Sequence, residues 1–248
     1  MNLLVDIGNS RIKYIQQDSH GLSNYQGDFY EKSDFAGSLD RLWDKLPMPD
    51  QIWIANVAGS EVADQLVRWI DKKWHIRPEF AVVTKAALGV INAYTEVTRL
   101  GIDRWLAIIA TWNKYGSAAC IVDCGTAVTI DGLNHHGRHL GGLITPGVAM
   151  MQQSLYKTVS AIPYIKDMKA TTGLACNTEQ AVVTGCTIAI VSLIEHVLQD
   201  MQRVCEGELK CVITGGDSET IMRLLAGQFV YEPYLVLEGL ALHAGSNP

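Results

Sequence analysis

The sequence predicts an α/β protein made of two copies of one unit, and three observations carry that prediction. Strand-like and helix-like apolar patterns alternate along the whole chain. Leu3-Leu4-Val5-Asp6-Ile7-Gly8-Asn9-Ser10-Arg11-Ile12-Lys13-Tyr14 is echoed by Cys120-Ile121-Val122-Asp123-Cys124-Gly125-Thr126-Ala127-Val128-Thr129-Ile130-Asp131. A second echo pairs Ile52-Trp53-Ile54-Ala55-Asn56-Val57-Ala58-Gly59-Ser60 with Cys211-Val212-Ile213-Thr214-Gly215-Gly216-Asp217-Ser218, each a strand, a small-residue turn and a helix start.

From Leu3 to Tyr30 the pattern alternates and turns at Gly8-Asn9 and between Ser19 and Asn24, which predicts three consecutive antiparallel strands. Ser33 is the expected N-cap of a helix on which Leu39, Leu42, Trp43 and Leu46 recur at helical spacing, and Pro47 and Pro49 stop it. A strand at Ile52 to Ala55, a helix from Ser60 to about Trp74 and a strand at Phe80 to Val83 complete a βββαβαβ half. A helix from about Gly101 to Tyr115, ended by Gly116, carries Trp105, Ile108, Ile109 and Trp112 on one broad apolar face. The second half has predicted strands at 118–123 and 127–132, a turn at Asn134 to Gly137 and a strand to Ile144. Then come a helix after Pro146, a long helix from Thr178 to Val204, a strand at Cys211 to Ile213, a helix after Asp217 and a last helix from Leu235 to His243. The expected domains are 1–100 and 117–248, joined by a connecting helix at 101–116.

At 248 residues the chain can bury a substantial core, and 48% apolar with 19% charged residues is an ordinary globular composition. A net charge of −6 provides no positive field for nucleic acid or anionic lipid, so neither is an expected partner. Met1-Asn2-Leu3-Leu4-Val5-Asp6 lacks the features of a signal peptide, and no apolar run reads as the roughly 18 residues of a membrane span. The six cysteines are scattered without a Cys-x-x-Cys pair, as in reduced proteins, and the expected location is cytoplasmic.

In the first hairpin, a glycine beside Asp6 lets backbone N–H groups approach an anion while the carboxylate faces its cation. Ser10 adds a hydroxyl, and Arg11 and Lys13 add positive charge. Such residues also make plain turns. The echo at Asp123-Cys124-Gly125-Thr126 favours ligand-facing roles for both acids, and strand-end carboxylates suit a hydrated magnesium ion. Neither Gly-x-x-x-x-Gly-Lys-Ser/Thr nor Gly-x-Gly-x-x-Gly occurs, so ATP binding would require another fold. Asp103 in Gly101-Ile102-Asp103-Arg104 is either a first-turn acid favoured by the helix dipole or a base beside an anion-holding Arg104. Gly215-Gly216-Asp217 is either a strand-to-helix turn or exposed backbone for a ring or phosphate, and Thr178 reads as a helix cap. His135, His136 and His139 cluster at a hairpin tip without a second ligand group, so no zinc site is assigned to them. Tyr94 fits core, rim or ligand contact equally well.

Taken in order, Asp6 to Lys13, Gly101 to Arg104, Asp123 to Ala127, Gly141-Gly142 through Pro146-Gly147, Asn177 to Ala181 and Thr214 to Asp217 resemble the motifs of type III pantothenate kinases. The resemblance spans Val5 to about Asp217, and Ser10 departs from it by standing where the family usually has Thr. It implies two duplicated ribonuclease H-like (actin-like ATPase) domains, each a mixed five-stranded sheet with flanking helices, that close around ATP. It further implies transfer of the ATP γ-phosphate to the primary hydroxyl of pantothenate, the first step of coenzyme A synthesis. On that basis Asp6, Ile7, Gly8, Asn9, Ser10, Arg11, Ile12 and Lys13 form the first phosphate loop, with Asp6 near magnesium through water. Thr126 contacts ATP phosphate, and Asp123 binds K+ or NH4+. Tyr94, Gly101, Ile102, Asp103, Arg104 and Thr178 contact pantothenate, and Asp103 accepts the hydroxyl proton. The family pattern also implies a homodimer, for which the face bearing Trp105 and Trp112 is one expected surface. A nucleotide-binding regulatory protein of the same fold, or a kinase for another small acceptor, is the alternative.

Overall fold

The computed structural model describes residues 1–165, 168–205 and 207–246, which form two compact units. The first comprises Met1–Lys114 and Tyr234–Pro248. Strands β1 (Asn2–Ile7), β2 (Arg11–Asp18) and β3 (Gly21–Phe29) are an antiparallel meander, followed by α1 (Phe35–Trp43), β4 (Gln51–Asn56), α2 (Ser60–Trp74) and β5 (Glu79–Phe80). Their sheet order is β3-β2-β1-β4-β5, with β4 and β5 parallel to β1. A small hairpin, β6 (Ala86–Ala87) with β7 (Val90–Ile91), precedes α3 (Ile102–Tyr115).

The second unit is Tyr115–Pro233. Its strands are β8 (Ala119–Cys124), β9 (Ala127–Leu133), β10 (His139–Pro146), β11 (Lys210–Thr214) and β12 (Val230–Tyr231), in sheet order β10-β9-β8-β11-β12. Helices α4 (Val148–Thr158), α5 (Thr178–Val204) and α6 (Ser218–Met222) belong to this unit, whereas α7 (Leu235–Ser246) packs in the first. The sheet orders match strand for strand, so the repeat seen in the sequence is a repeat of topology. Asp6 and Asp123 are each the penultimate residue of the first strand of their sheet.

Period-two alternation sorts the first sheet's faces. Leu3, Val5, Ile7, Ile12, Tyr14, Ile52 and Ile54 pack with α1 and α2. The opposite face receives α7, where Trp53 meets His243 edge to face at 6.1 Å. In the second unit Cys120, Val122, Cys124, Val128 and Ile130 pack against α5 residues such as Ile190 and Ile194.

Several details differ from the sequence-based expectations. Asp34, not Ser33, caps α1: Ser33 lies in a short 3-10 turn, and Gly37 N–H donates to Asp34 Oδ1 at 3.2 Å. The strand expected at Phe80 to Val83 is only Glu79–Phe80, because as an edge strand it pairs with β4 alone and leaves the sheet after Ala81. Asn177 caps α5 by accepting from Gln180 N–H at 2.8 Å, and Thr178 is the first helical residue. On the face expected to be available to a dimer, Trp105, Ile108 and Ile109 are instead fully buried in the first unit's core, while Trp112 is half-buried. The segment 234–248, expected with the second half, joins the first unit because apolar α7 covers its sheet; Gly239 lets α7 approach α3, a Cβ there falling 2.1 Å from Leu106 O. Finally, α5 is long and apolar enough to cross a membrane by length and composition, and half of its most apolar stretch is buried inside the unit.

Candidate functional site

Asp6 and Lys13 face each other across β1 and β2. Because their neighbours Val5, Ile7, Ile12 and Tyr14 point into the α1–α2 core, strand alternation sends both side chains to the opposite face. Lys13 Nζ lies 3.5 Å from Asp6 Oδ2. Gly27, opposite Lys13 on β3, leaves room for the lysine stem: a Cβ there would stand 3.2 Å from Lys13 Cγ. The intervening loop is tied down on three sides. Gly8 N–H donates to Arg11 O at 3.0 Å, Tyr30 hydroxyl to Gly8 O at 2.7 Å, and Tyr30 N–H to Ser10 O at 3.3 Å. Ile7 and Ile12 are fully buried, so only their backbones can meet a ligand; Asn9 is exposed, and the Arg11 guanidinium lies 4.6 Å over the Phe29 ring.

Asp103 belongs to this neighbourhood. It occupies the first turn of α3, where its Oδ1 accepts from Arg104 N–H at 2.8 Å. That oxygen folds back over Gly101, at which a Cβ would be only 2.5 Å away. The glycine of Gly-Ile-Asp-Arg is therefore required by the carboxylate's position. Burial pushes the Asp6 carboxyl above its usual range, Lys13 opposes this, and the Asp103 charge reinforces it. An acid paired with one ammonium and within the field of a second acid is an arrangement suited to a further cation or to the transfer of a proton.

Arg104 is buried and its Nη1 donates to Tyr94 hydroxyl at 3.0 Å, with the guanidinium 5.7 Å from the centre of that ring. Ile102 is buried beneath them in the unit's core. The structure thus pairs Asp6 with Lys13, places Asp6 within the field of Asp103, and pairs Tyr94 with Arg104.

In the second unit Asp123 sits opposite Thr129 and beside Thr214. Its cross-strand partner is a hydroxyl where Asp6 has an ammonium, which makes the duplicated hairpins chemically unequal. Gly215, at φ +99°, closes on this hairpin: a Cβ would stand 2.5 Å from Asp123 Oδ1 and 2.4 Å from Cys124 O. Asp217 N–H donates to Cys124 O at 3.0 Å. On the other side Gly147 N–H donates to Thr126 O at 2.9 Å, and α4 begins there. Thr126 is exposed beside those first N–H groups, a place where phosphate binds readily. Thr178 is exposed at the start of α5. Among the described residues no three His, Cys, Asp or Glu side chains converge as metal ligands, so a cation at Asp123 would be completed by carbonyl, hydroxyl, water or phosphate oxygens.

Sequence reading missed Tyr25. The register between β2 and β3 breaks between Tyr14 and Gln16, and Asn24 takes φ 53°, a bulge that re-aims the strand. Tyr25 then meets Tyr234 with the rings tilted by 43° and their centres 4.2 Å apart. Burial raises its phenol pKa, Lys13 and Arg11 lower it, and Asp6 raises it, so the ring lies within the field of the first hairpin's charges. Only the Gly21 to Asn24 turn and an aromatic on a polar strand signalled this in the sequence.

Residues 2–200 match the family model described as type III pantothenate kinase. A type III pantothenate kinase from Nitrosococcus oceani is 40% identical over 97% of this chain and 92% of its own length. One from Alcanivorax borkumensis is 32% identical over 97% of both chains. Among solved structures, one described as a Baf-family transcriptional activator from Campylobacter jejuni superposes with TM-score 0.62 at 22% identity, covering 99% of this chain and 98% of that one. The activator of 2-hydroxyisocaproyl-CoA dehydratase from Clostridium difficile, with bound ADPNP, superposes with TM-score 0.54 at 12% identity, covering 98% and 93%. These two show the fold, an actin-like ATPase architecture with two mixed five-stranded sheets.

Proposed function

The chain belongs to the type III pantothenate kinase family, and from that premise we propose how its residues carry out the reaction. It is a pantothenate kinase, transferring the γ-phosphoryl group of ATP to pantothenate at the entry to coenzyme A synthesis. The residue roles are supported by the Asp6–Lys13 pair lying within the field of Asp103, and by Arg104, the residue after Asp103, holding the Tyr94 hydroxyl.

Asp103 accepts the proton of pantothenate's primary hydroxyl as that oxygen bonds to the γ-phosphorus and the bond to the ADP oxygen breaks. Phosphoryl transfer has a loose transition state, so positioning and charge neutralisation supply most of the rate. Arg104 and Tyr94 hold the acceptor with Gly101 and Ile102 backbone beside them, and the family's motif assigns Thr178 to the acceptor as well. Lys13, Ser10, Arg11 and the backbone of Ile7, Gly8, Asn9 and Ile12 hold phosphate in the first unit; Thr126 does so in the second. The desolvated Asp6 carboxyl, crowded by Asp103, fits a water-mediated contact to magnesium, which when bound neutralises phosphate charge. Asp123, with carbonyl oxygen close by, fits a monovalent cation, K+ or NH4+.

A homodimer is part of this reading. Helix α4 has no buried residue despite Met150 and Tyr156, and Leu143 and Ile144 of β10 and Ile188 of α5 are also exposed. An apolar surface of this kind in one unit suits a second copy. The six cysteines are free, which supports a reducing, cytoplasmic setting. Acceptor-dependent ADP formation tests the function: release that ignores pantothenate would overturn it. Sedimentation velocity tests the dimer, and a monomer at micromolar concentration would contradict it.

A further inference from the structure

The two units differ between their fifth strand and the next helix. After the second unit's β12, which ends at Tyr231, the chain reaches its next helix, α7, at Leu235; after the first unit's β5, which ends at Phe80, it reaches α3 only at Ile102. The added stretch carries Tyr94 and is bolted to α3. Leu88 and Gly89, at φ 49° and 83°, make the tight turn of the β6–β7 hairpin. Asn113 Nδ2 donates to Leu88 O at 3.1 Å, Val90 is fully buried, and a Cβ on Gly89 would stand 2.7 Å from Trp112 Nε1.

Within this stretch Asn92 is almost fully buried, and its amide works in two directions. Its Oδ1 accepts from Tyr94 N–H at 2.9 Å and its Nδ2 donates to Thr84 O at 3.4 Å. Lys85 Nζ donates to Asn92 O at 2.9 Å and to Tyr94 O at 3.3 Å, while Asn92 N–H donates to Lys85 O at 2.9 Å. The Tyr94 backbone is thus gripped at both N–H and C=O, and its hydroxyl receives Arg104 Nη1.

We propose that Asn92, assisted by Lys85, is a positioning residue for acceptor selection: it fixes Tyr94, and through it the Arg104 guanidinium, to receive the acceptor's carboxylate. A buried cation oriented by a phenol favours a bidentate carboxylate over an uncharged end group. This rests on the pantothenate reading above and adds which end of the acceptor the insertion recognises.

The test measures steady-state kinetics of the full-length protein with pantothenate and with the alcohol analogue in which the carboxylate is replaced by a hydroxymethyl group. Asn92→Ala should raise KM for pantothenate about ten-fold, with kcat and KM for ATP near the parent values, and should leave KM for the alcohol unchanged. Asn92→Asp, which keeps the acceptor for Tyr94 N–H, should recover most of the loss. The exposed Lys85→Met, which spares the core, should show the same pattern at about three-fold. Equal losses with both acceptors, or losses in kcat and in KM for ATP, would overturn the positioning role while leaving the kinase reading intact. A parent protein inactive with both acceptors would overturn both.

Discussion

Asp6 and Lys13 show how much the site depends on one pair. The Asp6 carboxylate is desolvated and is crowded by Asp103, with the Lys13 ammonium as its compensating charge. Lys13→Met should therefore destabilise the fold by about 1–3 kcal/mol, because it leaves a buried charge unpaired. Adding Asp6→Asn should restore much of that loss, and urea denaturation midpoints read both; a double variant no more stable than Lys13→Met would contradict the account. Asp103→Asn acts differently, since the carboxylate is partly exposed and caps its own turn. It should lower kcat by about 10²–10⁴ with an unchanged circular dichroism spectrum, and parental turnover would remove Asp103 as the base.

At the level of elements, two glycines separate chemistry from stability. A Cβ at Gly101 would meet the end of the Asp103 side chain, whereas a Cβ at Gly239 would meet Leu106 backbone. Gly101→Ala should fold normally and lose activity by displacing the carboxylate. Gly239→Ala should cost about 1–3 kcal/mol by forcing α7 off α3, with residual activity in the folded fraction. Thermal melts paired with turnover distinguish them, and reversed behaviour would show the geometry to be misassigned. Long elements with strong local signals were legible in the sequence: α2 and α5 have the expected bounds, because Ser60 and Asn177-Thr178 open regular apolar periods. The two-residue strands β6, β7 and β12 were not foreseen, since so few residues carry no period. Asp6 and Asp123 were legible because the duplication repeats them, and Asp103 because it stands in the Gly-Ile-Asp-Arg motif at a helix start. Tyr25, Asn92 and Lys85 were not, because a bulge and backbone hydrogen bonds leave no spacing pattern.

The molecule as a whole repeats one topology and divides its chemistry unequally: an acid–ammonium pair in one sheet, an acid–hydroxyl pair in the other. The last helix is the exception to a simple tandem arrangement, returning to the first unit and bringing His243 into its core. Burial lowers the pKa of His243, so the folded state holds it neutral. Unfolding raises its proton affinity, and stability that is complete above about pH 6.5 should fall as pH drops below that value toward the lowered folded pKa. His243→Phe should flatten that part of a pH–stability curve; an unchanged slope would exclude the histidine as its source. The central claim concerns catalysis, and ADP formation with and without pantothenate, in magnesium with either K+ or Na+, tests it most directly. Pantothenate-dependent release that is strong in K+ and weak in Na+ is the predicted result; release that is absent or independent of pantothenate would contradict the account.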